Sequence, residues 1–312
     1  MSLAIVTPQT VLWHPRAIVQ VQSVLYNSDP AAVARAATSV ARAADLAIGG
    51  GGCAKVVLRY GDCSPLPCLG EDQLAAMRDA TADTITIEYT HFGANLGSAR
   101  GHNELAGLFE GDFIQVQNPD VVISPRTIVT LLKSFERPGV GMVEAKQLPI
   151  EHPKDYDRAT GETSWASTAC VLIPMPVFRH VGGFDADNFF LYCDDVDFSW
   201  MVRLAGFRVL HQPAAVVLHD KRLSASGAWQ TSAAERYYSA EAALIIAHKW
   251  SRPDLVEQYV NFFCNAGTEE MKKAARAFET RQAEGRLPMP LDPEHKVAQF
   301  VQTFYAPHRF QL

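Results

Sequence analysis

Short apolar runs alternate with helical patterns from residue 3 to residue 222, and past that point no strand chemistry returns. Such alternation points to an α/β domain with a parallel sheet covered by helices, followed by an all-helical extension. Leu3–Val6, Lys55–Tyr60, Thr84–Tyr89 and Asp112–Gln117 read as strands one to four. Arg16–Leu25 places apolar residues at helical spacing, and Pro30–Ala44 carries Val33, Ala37 and Val40 on one face, so both are predicted to cover the sheet. Pro125–Phe135 reads as a helix, Val140–Ala145 and Trp165–Pro174 as strands, and Phe207–Leu210 and Ala214–Leu218 as two strands split by a Gln-Pro turn. Between them Glu151–Gly161 is polar and aperiodic, a surface loop expected to be mobile. Ser224–Gly227 is a small-residue linker; Ala233–Lys249, Leu255–Phe263 and Glu269–Glu284 are amphipathic helices, and Glu294–Phe304 a last short one.

In an open α/β sheet, ligands bind beyond the carboxyl ends of the strands. Thr7 follows strand one, Asp62 sits in the turn Gly61-Asp62-Cys63-Ser64-Pro65 after strand two, and Asn118-Pro119-Asp120 follows strand four. Asp62 serves equally well as the local cap of an Asx turn. A carboxylate at a strand end can hold a divalent cation against a diphosphate leaving group, which makes Asp120 a candidate ligand. His219 ends the last strand. Asn95-Leu96-Gly97-Ser98-Ala99-Arg100 turns a loop into a helix whose free N–H groups suit a diphosphate, with Arg100 adding a charge.

The densest acidic stretch is Gly182–Asp197, GGFDADNFFLYCDDVD. Its carboxylates at Asp194, Asp195 and Asp197 open a helix, where first-turn acids satisfy free N–H groups and the helix dipole. Asp194 and Asp197 need no further reason. Asp195 lies between apolar flanks behind a glycine-hinged aromatic loop that can present it to a cleft, and its helix start favours the ionised form.

Composition removes several alternatives. With 28 Lys+Arg against 34 Asp+Glu, the net charge of -6 offers no general attraction to nucleic acid. No window of about 18 apolar residues is present, which predicts no transmembrane segment. The N-terminus lacks a charged and apolar leader, and the six cysteines show no CxxC pair, so reduced thiols in the cytoplasm, or at the inner face of the membrane, are expected.

Gly182-Gly183-Phe184-Asp185, Phe189-Phe190, Tyr192, Asp194-Asp195, Asp197, Trp200, Arg203 and Gly206 together resemble the acceptor-side motif of family 2 glycosyltransferases of the GT-A fold, particularly the rhamnosyltransferase-like branch. Asn95–Asn103 is similar to that family's loop-to-helix segment, and the resemblance spans roughly residues 3 to 222. It implies a mainly parallel mixed sheet flanked by helices over residues 1–223, with a donor half to about 120 and an acceptor half beyond it, plus a helical extension at 228–312. It implies an inverting transferase that takes a dTDP- or UDP-sugar to a glycan, lipid-linked or small-molecule acceptor, in cell-surface polysaccharide or glycoconjugate synthesis. By that resemblance Asp195 is the base. Thr7, Asp62, Asn95, Gly97, Arg100, Asn118 and Asp120 meet the donor, Asp194 and Trp200 stand on the acceptor side, and Asp120 with His219 holds Mn²⁺ or Mg²⁺. The extension could form a homodimer. Two departures are visible: Asn118 stands where the family often has Asp, and Met201 follows Trp200 where the family commonly has Arg, with Arg203 the candidate substitute. A non-catalytic binding module on the same fold is the alternative, whereas a nucleotidyltransferase would want a glycine-rich basic segment after strand one, and Thr7–Gln22 has no glycine and a single arginine.

Overall fold

The computed structural model describes residues 13–151, 154–219 and 231–306. An eight-stranded sheet runs in the order β3-β2-β1-β4-β7-β6-β8-β5. Its strands are β1 (Ile18–Leu25), β2 (Lys55–Asp62), β3 (Thr86–His91), β4 (Phe113–Gln117), β5 (Val121–Ile123), β6 (Val140–Leu148), β7 (Cys170–Pro174) and β8 (Arg208–His219). β1 pairs in parallel with β2 and β4, β2 with β3, and β6 with β8, while β7 is antiparallel to both neighbours and β5 antiparallel to β8. The carboxyl ends of β1, β2, β4, β6 and β8 therefore share one edge of the sheet, where ligands bind in such folds.

Among the described residues the first strand is a stretch the sequence reads as a helix. Ile18–Leu25, read as a helix, is β1 at the centre of the sheet. Its IVQVQSVL alternates with period two, but both faces are buried, which hides the strand from a search for an apolar face. Val19 and Val21 enter one core, while the side chains of Gln20 and Gln22 on the opposite face donate to the carbonyls of Leu105 and His102. Leu3–Val6, Thr7 and the Ser224–Gly227 linker lie outside the described residues.

α1 (Pro30–Gly49), α2 (Glu71–Thr81) and α4 (Thr127–Lys133) cover one face of the sheet through Val33, Val40, Leu74, Ile128 and Leu131. On the other face lie α3 (Gly97–Gly107), α5 (Met175–Val181) and α6 (Asp194–Leu204), meeting the sheet through Ala99, Phe178 and Phe198. A third core joins α6 to the helices α7 (Ala233–Lys249), α8 (Pro253–Ala266) and α9 (Glu269–Ala283), with Val196 and Trp200 packed among Leu244, Ile245, Phe263 and Phe278. The extension is thus built onto the acidic helix itself.

Other differences are local. The two expected strands at Phe207–Leu210 and Ala214–Leu218 form one strand, β8, whose register against β6 jumps between Gln212 and Val216, so the Gln-Pro signal marks a bulge rather than a turn. Only Cys170–Pro174 of the expected Trp165–Pro174 strand is paired as one. Residues 294–304 form turns and a Val301–Phe304 bridge in place of a helix. The polar loop is tied, with Tyr156 bridged to Thr163.

Candidate functional site

β4 ends at Gln117, the turn Asn118-Pro119-Asp120 follows, and β5 begins at Val121 opposite His219, the last residue of β8. That register brings Asp120 and His219 together from distant parts of the chain, with Nε2 of His219 3.5 Å from Oδ1 of Asp120 and 3.4 Å from the Asn118 side-chain amide nitrogen. The other ring nitrogen, Nδ1, lies 2.9 Å from Oε1 of Gln147. An amide oxygen only accepts, so Nδ1 carries the proton and Nε2 keeps its lone pair toward Asp120, the tautomer a metal ligand needs. His219 is buried and Asp120 stands at the cleft surface with 40% of its side chain exposed. Carboxylate, imidazole and neighbouring amide fit a hard or borderline divalent cation.

The acidic helix starts abruptly. Tyr192 and Cys193 both adopt left-handed backbone, at φ 67° and 55°, before α6 begins at Asp194. Such conformations cost roughly 1–2 kcal/mol per non-glycine residue and require support from the surroundings. α3 supplies part of it: the Ser98 amide donates to the Phe190 carbonyl at 2.9 Å, and the Ser98 side chain hydrogen-bonds Asp194. Gly97 has φ +71°, and a Cβ there would stand 2.4 Å from the Phe190 oxygen, so glycine permits this docking. Asn95 accepts from the Gly97 amide at 3.2 Å. Asn95 and Gly97 thus shape the junction between α3 and the acidic motif.

Asp194 is buried, and its Oδ2 has no hydrogen-bond partner. Asp195 is half-buried, accepts from the Val196 amide at 2.8 Å and has the Thr168 amide close by. Burial, followed by the neighbouring Asp194, pushes its carboxyl up to about 7, with Lys154 and the two amides opposing. The expectation that the helix start keeps Asp195 ionised is corrected: desolvation and a like charge outweigh the dipole. A carboxylate that titrates near neutrality is a stronger base than an ordinary one. Asp197 is a structural anchor, receiving the Lys249 ammonium at 2.8 Å and the Trp250 indole at 2.9 Å.

Residues 167–169 and their neighbour Ala166 tie these parts together. The Ala166 amide donates at 3.0 Å to the Ser199 hydroxyl, which donates at 2.7 Å to the Asp195 carbonyl; the Ser167 amide donates to Glu144 at 2.5 Å, and the Ala169 carbonyl accepts from the Asn118 backbone amide at 3.0 Å. This short stretch therefore holds both the acidic helix and the Asn118–Asp120 turn.

Other expected residues sit differently. Asp62 is fully buried and accepts from the amides of Ser64, at 2.9 Å, and Cys68, at 2.6 Å, and from the Tyr89 hydroxyl. Burial raises its carboxyl, but the hydrogen bonds from Ser64, Tyr89 and Cys68 prevail and hold it below the usual carboxylate range. Asp62 thus organises the loop at the ends of β1 and β2, where Tyr26-Asn27 follows β1 and the Asn27 amide donates to Ser64 at 2.8 Å. Arg100 pairs with Asp187 at 2.9 Å on the wall of a polar cavity of about 440 Å³ shared with Asp185 and Lys249. Trp200, expected on the acceptor side, is fully buried against Trp250 and Phe300 at ring separations of 5.3 and 5.1 Å, so it offers no face to an acceptor. Arg203 donates to the Val297 carbonyl in the extension.

Sequence reasoning missed a second cluster. Glu144, Glu151 and His211 bring ligand-type atoms within 4.8 Å of one another, close enough to be weighed as a cation site. His211, however, turns Nδ1 to Glu144 at 3.2 Å and Nε2 to Glu151 at 4.0 Å, and Lys154 already pairs with Glu144. One nitrogen facing each carboxylate describes a saturated polar network better than a common ligand point. The available signal was Glu144 and His211, titratable residues inside apolar strand runs.

No protein-family model matches the chain. The N-acetylglucosaminyl-diphospho-decaprenol L-rhamnosyltransferase of Mycobacterium tuberculosis is 28% identical over a region covering 41% of this chain and 57% of that protein. The chain thus spans less than two thirds of that relative. Among solved structures, the mannosyltransferase PcManGT from Pyrobaculum calidifontis, in complex with GDP-Man and Mn²⁺, aligns with a TM-score of 0.54 at 16% identity, over 90% of this chain and 80% of its own. GalNAc-T7 with UDP, GalNAc and Mn²⁺ aligns with a TM-score of 0.59 at 12% identity, over 88% and 59%. The fold is that of the GT-A transferases: a mixed, largely parallel sheet between helices, with a helical C-terminal region.

Proposed function

We propose that the chain is a family 2 glycosyltransferase, of the rhamnosyltransferase-like branch, that moves a sugar from a nucleoside-diphosphate sugar to an acceptor hydroxyl with inversion, using a divalent cation. The observation that carries this reading is the 167–169 hub, which ties a carboxylate raised above its usual range to a strand-end turn whose Asp120 and Asn118 side chains meet the unprotonated nitrogen of His219. The name of the rhamnosyltransferase relative supports a lipid-linked acceptor, and the GDP-Man and UDP complexes with Mn²⁺ among the similar folds support a nucleoside-diphosphate donor and the cation.

Asp120 and His219 would hold the cation, with Asn118 alongside, and when bound it would neutralise charge developing on the departing diphosphate. Gln147 keeps His219 in the required tautomer. Asp195 takes the proton of the acceptor hydroxyl as its oxygen attacks the anomeric carbon opposite the leaving group, which inverts the configuration. Burial, and then the charge of Asp194, raises the basicity of Asp195, and the Val196 amide holds its carboxylate at 2.8 Å. We place the transferase domain at residues 1–223, with 228–312 as a helical extension that braces α6 and offers a surface for a homodimer. Dependence on a dTDP- or UDP-sugar, a lipid-linked or glycan acceptor, and action at the inner membrane face complete the proposal; among the described residues no helix is long and apolar enough to cross a membrane.

The test is Asp195→Asn, assayed with dTDP- and UDP-sugars and Mn²⁺. Transfer is expected to fall by ~10²- to 10⁴-fold while Mn²⁺-dependent binding of the nucleoside diphosphate stays within about twofold. Unchanged turnover removes Asp195 as the base. Donor binding without turnover in the wild type, across all donors and acceptors, favours a binding module.

A further inference from the structure

Both ends of the loop from residue 154 to 167 close on a single oxygen. The Lys154 ammonium and the Ser167 amide both reach Oε2 of Glu144, which is buried in the middle of β6. Lys154 is itself buried, lying 3.9 Å from the centre of the Trp165 ring, and the bridge between Tyr156 and Thr163 draws the two arms of the loop together. Just before Ser167 stands Ala166, whose amide reaches the Ser199 hydroxyl that holds the Asp195 carbonyl, and just beyond it Ala169, whose carbonyl holds the Asn118 turn. An ammonium stripped of water persists only where its charge is compensated, and here the compensating carboxylate also sets the backbone that grips the site.

We propose that Lys154 is a positioning residue for sugar transfer: by neutralising Glu144 it fixes the Ser167–Ala169 hub against Asp195 and keeps a permanent positive charge beside that carboxylate. The inference rests on Asp195 being the base. The charged groups acting on Asp195 are Asp194 from α6 and Lys154 from the loop, and those around Lys154 are Glu144 of β6, His211 of β8 and, farther off, Glu151. Loss of the Lys154 charge leaves Asp194 and burial unopposed by any cation, so Asp195 ionises only at higher pH.

Lys154→Met alone strands a buried Glu144 and is apt to unfold the protein, so the informative variant is the neutral pair Glu144→Gln with Lys154→Met, set beside Lys154→Arg. In the neutral pair kcat is expected to fall by ~10- to 100-fold with donor KM within about twofold, since a small misplacement of a reacting group has that effect. The acid limb of its pH–rate profile moves upward, whereas in Lys154→Arg it stays in place. Added to Asp195→Asn, the neutral pair costs no more than about twofold further, because both changes act through one group. An acid limb that moves in both variants, or stays put in both, overturns the proposal. So does loss of Mn²⁺-dependent nucleoside diphosphate binding in the neutral pair, which would make the Glu144 cluster a cation site. Full turnover in Asp195→Asn removes the base and this role with it, while loss there with an unmoved limb in the neutral pair removes only the role of Lys154.

Discussion

β8 carries two histidines whose surroundings differ in one respect. Each has Nδ1 engaged by a side chain of β6, His211 by Glu144 at 3.2 Å and His219 by Gln147 at 2.9 Å. Each turns Nε2 toward a carboxylate, Glu151 at 4.0 Å and Asp120 at 3.5 Å. Glu144, however, already has the Lys154 ammonium, while among the described residues His219 is the only ion-pair partner of Asp120. The His211 side chain is 3% exposed and that of His219 10%, against an Asp120 open to solvent at 40%. A histidine beside an acid is therefore not diagnostic of a metal site; the deciding feature is whether the positive charge has already been provided. At the buried end of the strand it has, and at the cleft end it has not.

The sharpest test of this contrast is to remove each cleft ligand. Asp120→Ala and His219→Ala are each expected to weaken Mn²⁺-dependent binding of a nucleoside diphosphate by at least ~100-fold, as much as or more than the loss of a residue that only orients a metal ligand. Calorimetric titration with UDP or dTDP, with and without Mn²⁺, measures it. Equal binding and equal metal dependence in both variants would sink the shared site and erase the distinction between the two histidines.

A subtler break targets Gln147, which reaches only the far ring nitrogen of His219, at 2.9 Å. Gln147→Leu leaves the ring free to rotate and to protonate on Nε2, and should weaken Mn²⁺-dependent binding by about 10-fold. Melting temperature should move by no more than the loss of one hydrogen bond allows, about 1 kcal/mol. A full-strength site in Gln147→Leu would show that Asp120 and Asn118 alone orient His219.

The same contrast explains what could be read before the structure was known. Asp120 and His219 were legible because each ends a strand in a turn-forming or polar run, and the sheet order then brings the two ends together. α7 begins and ends at the expected Ala233 and Lys249, and Asp194 opens a helix as expected, because capping residues and acidic first turns are local signals. β1 reads as a helix in sequence because Gln20 and Gln22 are buried polar residues whose partners, on α3, lie 85 and 80 residues away. The near-neutral titration of Asp195 was invisible for the same reason: a helix start is local, whereas burial and the approach of Lys154 and Thr168 are tertiary. Trp200 was assigned to the acceptor side by a pattern, and only the packing of α7–α9 on α6 shows it to be core.

The smallest expected effect on binding is at the buried histidine. His211→Leu removes the donor to Glu144 Oε1 but leaves Lys154 on Oε2, so donor and Mn²⁺ binding should match the wild type within about twofold. The cost appears instead in stability, about 1–3 kcal/mol for a buried acceptor left without its partner. Its pH dependence follows from Glu144. Burial raises that carboxyl, but Lys154 and His211 more than offset it and hold the folded value below the ordinary one. A depressed carboxylate contributes stability that is present above its unfolded value, about 4.3, and lost as pH falls through the folded value. The wild type should therefore lose melting temperature progressively as pH drops below about 5. His211→Leu, with less to depress Glu144, should start lower and lose less over the same interval. Thermal melts between pH 7 and pH 3 make the comparison, and a loss of Mn²⁺-dependent binding in His211→Leu as large as that in His219→Ala would break it, because the saturated cluster would then be part of the cation site.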